Sequence, residues 1–415
     1  MPGLPPGHSR FSDYRLRVQS EIGFVLALSR ALHRFGTPAH RLEEALTNVC
    51  RSLGLEAEVF TTPTAIILSF GKPHELRTRL MRVEGGELDM GKLAQIDELG
   101  DQVIAHQITT DEASTRLEQI LVAPKQFSRP LSTLVHGVTA AALAVFFGGT
   151  LEDVVLAGGI GLTLGLLAQL IARSTDQTRV FELVGSALAA FTAGVASSWS
   201  HRVSPSLVTL AALVILLPGM SLTVAMTELA TRNLIAGTAR LMSALIVLLE
   251  LVVGVALGDR LARSLVHVTT SVPGPLPEYA NWIALVASSL GVAVLVQARP
   301  RAFGWIVSAC VVGYVGSRYG TAWLGPKLGV LIGAFALGVL SNMYARWLDR
   351  PAQVVSVPAV LLLVPGSMGL RGMTSLLDQQ TLTGIETVFA MFIVAIAIVA
   401  GLLIANAVVK PERSL

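Results

Sequence analysis

Two Pro-Gly pairs carry the strongest chemical signal in the chain: Pro218-Gly219 within LVILLPGM and Pro365-Gly366 within VLLLVPGS. Each falls near the middle of an apolar segment. A proline there removes a backbone donor and clashes with the carbonyl four residues earlier, at Val214 and Leu361. The glycine that follows lets the chain leave helical geometry. In hydrocarbon the freed backbone groups are costly unless protein, water or a ligand satisfies them. A helix restarting after each glycine would turn N–H groups and a positive dipole end toward a carboxylate. Ser221, Thr223 and Ser367 add hydroxyls close by. Pro218, Gly219, Ser221, Thr223, Pro365, Gly366 and Ser367 therefore form the expected substrate-binding set. The plainer alternative is that both prolines only kink helices for packing; a symmetric pair at mid-depth favours the site.

Ionisable groups in apolar runs are the next candidates, because their burial is expensive. Glu250, inside LIVLLELVVGV, reads as lying near the centre of its span, and desolvation suits it to carrying a proton. Glu228 closes the preceding span, either as a second proton carrier or in an ion pair with Arg232 or Arg240. His136 reads as a packing residue, and Glu182 and Glu386 as interfacial. Gly158, Gly161 and Gly165 read as small-residue helix contacts. Before the apolar runs, His40-Arg41-Leu42-Glu43-Glu44 would make a polar site with Thr61 or Thr64, although such spacing on a helix more often marks a solvated face. No GxSxG or placed nucleophile-base pair occurs, and Cys50 and Cys310 build neither a disulfide framework nor a zinc site. No enzyme activity, metal or cofactor is expected.

The elements that hold these residues divide sharply. Charged residues make up 14% of the chain, against roughly 25% for soluble domains, and the mean hydropathy is +0.64. The deficit lies almost wholly after residue 130, which predicts a soluble α/β domain over 1–130 followed by membrane. In the first part, helices are expected over 22–35, 39–53, 88–105 and 111–121, with an N-cap at Thr110 to Glu112. Two strands are expected within 57–70 and a half-exposed third over 76–83. Ten apolar segments of spanning length follow, near 131–149, 153–172, 180–199, 206–229, 236–258, 280–297, 301–317, 323–344, 354–377 and 384–409. The two Pro-Gly pairs lie 147 residues apart, and that offset carries the first five segments onto the last five. Five is odd, so the halves must be inverted, an arrangement that recurs in secondary transporters.

The expected fold is thus an α-helical integral membrane protein with ten transmembrane helices as a five-plus-five inverted repeat, behind a small α/β cytoplasmic domain. The first repeat covers 131–258, a connecting loop 259–279, the second repeat 280–409 and a tail 410–415. Lysine and arginine favour cytoplasmic termini by twelve to six, and the first residues lack the apolar run of a signal peptide. Without a basic run interleaved with aromatics, nucleic acid is not an expected partner.

The segment LLPGMSLTVAMTELATRNLIAGTARL (Leu216 to Leu241) resembles the threonine/serine exporter family. Leu-Pro-Gly, an acidic residue about ten positions on and Gly-x-x-Arg are matched by Pro218, Gly219, Glu228, Gly237 and Arg240. The family more usually has Asp at Glu228 and Ser at Ala236. GTPAHRLEEALTNVCRSLGLEAEVF, with Gly36, Arg41 and Glu43, resembles its cytoplasmic segment, and LLVPGSMGL its C-terminal half. The resemblance implies efflux of threonine and serine across the bacterial inner membrane, driven by the proton motive force. Gly237 and Arg240 are then expected to serve structure or gating, and Glu250 or Glu228 to exchange the proton. The expected partners are then a small amino acid, protons and the lipid bilayer, with the oligomeric state, a homo-oligomer included, left open. Split relatives are associated with dicarboxylate export, so a dicarboxylate or another metabolite is an alternative cargo. A sensor or enzyme acting through residues 1–130 is the rival from another class.

Overall fold

The computed structural model describes residues 7–72, 74–86, 88–171, 180–269, 274, 276–363 and 366–410, with side chains from residue 19 onward. Helix α1 (Gly7–Arg34) ends where Gly36 takes a left-handed φ of 91°, and α2 (Ala39–Ser52) starts directly behind Pro38. Leu42, Ala45, Leu46 and Val49 recur at helical spacing along α2 and are all buried, so one face of this helix belongs to the core. Strands β1 (Ala57–Thr62), β2 (Ala65–Phe70) and β3 (Arg77–Arg82) form an antiparallel sheet in that order, with Thr62 opposite Ala65 and Phe70 opposite Arg77. Ile66, Leu68 and Phe70 alternate onto the buried face of β2. The third strand is more exposed than its alternating sequence suggests. Every residue except Met81 faces solvent, and its three arginines make an edge that discourages further pairing. Helices α3 (Met90–Ile104) and α4 (Thr110–Val122) close the domain. The cap of α4 is Thr109, one residue earlier than expected; its hydroxyl accepts from the Glu112 N–H at 3.3 Å.

The remainder is helical: α5 (Arg129–Phe146), α6 (Leu151–Ile171), α7 (Phe181–Ser197), α8 (Pro205–Leu213), α9 (Gly219–Ala230), α10 (Leu234–Leu265), α11 (Glu278–Leu295), α12 (Phe303–Leu328), α13 (Val330–Leu348), α14 (Gln353–Leu363), α15 (Gly366–Leu377) and α16 (Thr381–Val408). By length and apolarity seven stretches suit a membrane crossing: α5, α6, α10, α11, α13, the run 353–377 and α16. The pair 205–216 and 219–230, bent by 56°, makes an eighth. Two of the ten expected spans fall outside this set. Helix α7 has 17 residues, or about 26 Å of rise, against a core of about 30 Å. Helix α12 carries Ser317, Arg318 and Tyr319, and breaks at Gly325 (φ 79°, ψ 171°) before Pro326.

Close packing follows the small residues. A Cβ on Gly161 of α6 would sit 2.7 Å from that of Ala140 on α5. On Gly254 of α10 it would sit 2.3 Å from the Leu183 carbonyl of α7. Early and late helices interlock, since α9 packs on α16 and α15 on α10. The N-terminal domain docks at one end of the helices. The N–H groups of Met90 and Gly91 donate to the carbonyls of Val296 and Gln297 at 2.8 and 3.1 Å, and Arg350 pairs with Glu98 at 2.6 Å.

Candidate functional site

The break at Pro218 is built in three steps. Helix α8 tightens into a 3-10 turn over Val214–Leu216, Leu217 is extended (φ −64°, ψ 132°), and α9 restarts at Gly219. The disruption therefore begins at Val214, four residues before the proline, as the lost donor and the ring clash require. Gly219 is already helical, so its lack of a side chain serves close approach rather than an unusual backbone angle. Across from it, a Cβ on Gly366 would lie 3.0 Å from the Leu217 Cβ and 3.5 Å from the Gly219 Cα. The break at Pro218 and the start of α15 at Gly366 thus meet at close range. Pro365 lies outside the described residues.

Three cavities converge on this crossing. One of about 210 Å³ is lined by Gly219, Gly366 and Ser367 together with Phe146, Phe147 and Tyr314. A second, of about 1050 Å³, reaches Leu217, Pro218 and Ser221 from the side of Lys125, Arg129 and His136. A third, of about 630 Å³, lies under the N-terminal domain and reaches Ser221 and Thr223. Ser221 lines both larger cavities, whereas Ser367 is on the far side of the crossing. The Thr223 hydroxyl donates to the Gly219 carbonyl at 3.2 Å, which leaves it only acceptor capacity. Among the described residues no side chain caps the first turn of α9, a helix start whose leading N–H groups have no intrahelical acceptor.

Of the two candidate proton carriers, Glu228 is fully buried and fully engaged. Its Oε2 accepts from Arg240 Nε at 3.0 Å, and its Oε1 from Arg240 Nη2 at 3.2 Å and from the Ala39 N–H at 3.0 Å. The expected pairing with Arg240 is present, and the third bond ties α9 to the start of α2. Gly237 permits this, because a Cβ there would press on Leu229 Cγ at 2.7 Å and on the Ala225 carbonyl at 3.0 Å. Glu250 is elsewhere. It is half-buried beside Glu182, at the start of α7, and lines none of the three cavities. The centre of an apolar run is the centre of a bilayer only when the helix has spanning length. Helix α10 has 32 residues, about 48 Å of rise.

The polar run on α2 divides by function. Glu43 accepts from the Thr61 N–H at 2.8 Å and from its hydroxyl at 3.1 Å, closing the outer edge of β1. Arg41 is not on a solvated face. It is half-buried and, with His33, Thr37 and His40, lines the cavity under the domain. Burial lowers the pKa of His33, with a smaller contribution from the Arg240 charge, and lowers that of His40 to about 4 with help from Arg41. Sequence reasoning passed over His33 and Thr37, which sit at a helix end and in a turn with no motif around them.

Two models of the threonine/serine exporter family match, over residues 23–262 and 281–408. Among curated proteins the chain is similar to an uncharacterised protein of Schizosaccharomyces pombe, 28% identical over 84% of this chain and 48% of that one. It is also similar to pheromone-regulated membrane protein 10 of Debaryomyces hansenii, at 29% over 89% and 38% of the two chains. The Saccharomyces cerevisiae protein of that name is 28% identical over 86% and 47%. The chain thus spans half or less of the length of these relatives. No solved structure matches.

Proposed function

Because the chain belongs to the threonine/serine exporter family, we propose that it is a secondary transporter exporting small zwitterionic amino acids, threonine and serine first among them, at the expense of the proton motive force. In this reading the helices form ten spans as two inverted halves in a plasma membrane, the bacterial inner membrane, with both ends cytoplasmic. Family membership also points to transport rather than to an enzyme.

The observation that carries the reading is the crossing itself. Gly366 meets Leu217 and Gly219 between a small cavity on one side and two larger ones on the other. Alternating access needs a thin barrier of this kind, with substrate groups beside it. The uncapped N–H groups of α9 and the hydroxyls of Ser221 and Ser367 would hold carboxylate and side-chain hydroxyl in turn. Proton coupling is assigned to Glu250 in preference to Glu228, whose carboxylate is committed to Arg240 and α2. Threonine efflux from cells preloaded through a threonine-containing dipeptide, with and without a protonophore, tests this. Expression-dependent efflux abolished by the protonophore is expected; its absence from inserted protein contradicts the proposed substrate.

A further inference from the structure

The cavity beneath the N-terminal domain holds polar groups left without partners among the described residues. Arg41 lines it and makes no hydrogen bond or ion pair among the described residues; Glu44 acts on it only through space. His33 Nδ1, His40 Nδ1 and Thr37 Oγ1 are also buried without partners. Thr37 is 4% exposed and His33 8% exposed. The nearby carboxylate, Glu228, is saturated by Arg240 and by the Ala39 N–H, so it does not neutralise Arg41. A half-buried guanidinium without a partner is unfavourable unless a counter-charge arrives. A volume of about 630 Å³ has room for one.

We infer that this chamber is a carboxylate-binding site, with Arg41 as the ion-pairing group and the Thr37 hydroxyl as a further donor. Guanidinium and carboxylate are matched for paired, charge-assisted bonds. The neutral imidazoles add an acceptor nitrogen each, which suits the ammonium of an amino acid. The same chamber extends to Ser221 and Thr223, so the N-terminal domain forms the inner mouth of the route to the crossing. That the carboxylate is the transported amino acid rests on the transport reading; the carboxylate site does not.

The test uses the full chain in nanodiscs, with binding of radiolabelled L-threonine and radiolabelled succinate measured for wild type, Arg41→Gln and Arg41→Lys. Unlabelled acetate and inorganic phosphate serve as competitors. Arg41→Gln should lower carboxylate affinity at least tenfold, and Arg41→Lys should restore part of it. Binding of succinate but not threonine, lost in Arg41→Gln, keeps the site and overturns the amino-acid reading. No carboxylate binding, binding indifferent to Arg41→Gln, or displacement by phosphate but not by acetate overturns the site. If Arg41→Gln does not fold, Thr37→Val carries the test: a threefold or greater loss of affinity is expected, and unchanged affinity overturns the inference.

Discussion

Glu228 offers the most quantitative test of how the N-terminal domain is held. Two charge-assisted bonds reach it from Arg240 and one from the Ala39 N–H. The Glu228 side chain is 0% exposed and that of Arg240 26%. At about 4 Å and an effective dielectric of about 20, the pair attracts by about 4 kcal/mol before desolvation. Removing one partner of a buried pair costs about 3–5 kcal/mol, and the partial exposure of Arg240 moves the expectation to about 3 kcal/mol for Glu228→Gln. Ala39→Pro isolates the third bond. Ala39 is the first residue of α2 and follows an extended Pro38 (φ −61°, ψ 152°), so proline fits there and removes only the donor. Its cost should be about 1 kcal/mol after the stiffening of the unfolded chain is subtracted. Both are measured as unfolding free energies in mixed micelles, within a double-mutant cycle against Arg240→Gln. A coupling of about 2–3 kcal/mol between Glu228 and Arg240 is expected. A coupling below about 0.5 kcal/mol would refute a docking role for the pair and return Glu228 to candidacy as a mobile proton carrier.

Three further outcomes are expected. Gly237→Ala should destabilise by about 1–3 kcal/mol, because its Cβ meets backbone atoms of α9 that cannot swing aside, and thermal unfolding reads this directly. Glu43→Ala should cost about 1–3 kcal/mol by leaving the Thr61 N–H, in a residue 3% exposed, without its acceptor; the loss should appear in urea unfolding. His40 introduces a pH dependence. Its folded-state pKa of about 4 lies below the ordinary 6.5, so between these values the unfolded chain binds the proton and the folded chain does not. Stability is therefore full above pH 6.5 and falls on acidification toward pH 4, by up to about 3 kcal/mol. Thermal midpoints of wild type and His40→Gln should lie closest at neutral pH and diverge on acidification, wild type falling further; parallel profiles would contradict the assignment.

Much of this architecture was legible in residue pattern. The alternation of Ile66, Leu68 and Phe70 marked a half-buried strand, and the apolar runs marked the long helices, because both signals are local. Pro218-Gly219 marked the break between α8 and α9 because proline acts within four residues of itself. What escaped was non-local. The Ala39 N–H that completes Glu228 lies 189 residues away, and nothing in the spacing of His40, Arg41, Glu43 and Glu44 says that Glu43 serves β1 while Arg41 faces a cavity. Arg318 falls between the expected spans 301–317 and 323–344, yet that stretch is helical. Its charge is met by Glu278 at 2.8 Å from another helix, and the real break comes at Gly325. Glu250 falls beside Glu182 and away from the three cavities for a different reason, since composition locates the middle of a helix but not the neighbours its faces meet.

The central claim is that the two helix breaks form the moving barrier of a transport route, and Gly366→Val tests it most directly. A branched side chain there must displace Leu217 or push the Gly219 backbone away. Threonine efflux from preloaded cells should fall to the level of cells lacking the protein, while the variant still inserts into the membrane and unfolds cooperatively. Full efflux by inserted Gly366→Val protein would contradict the claim and leave the crossing as a packing contact.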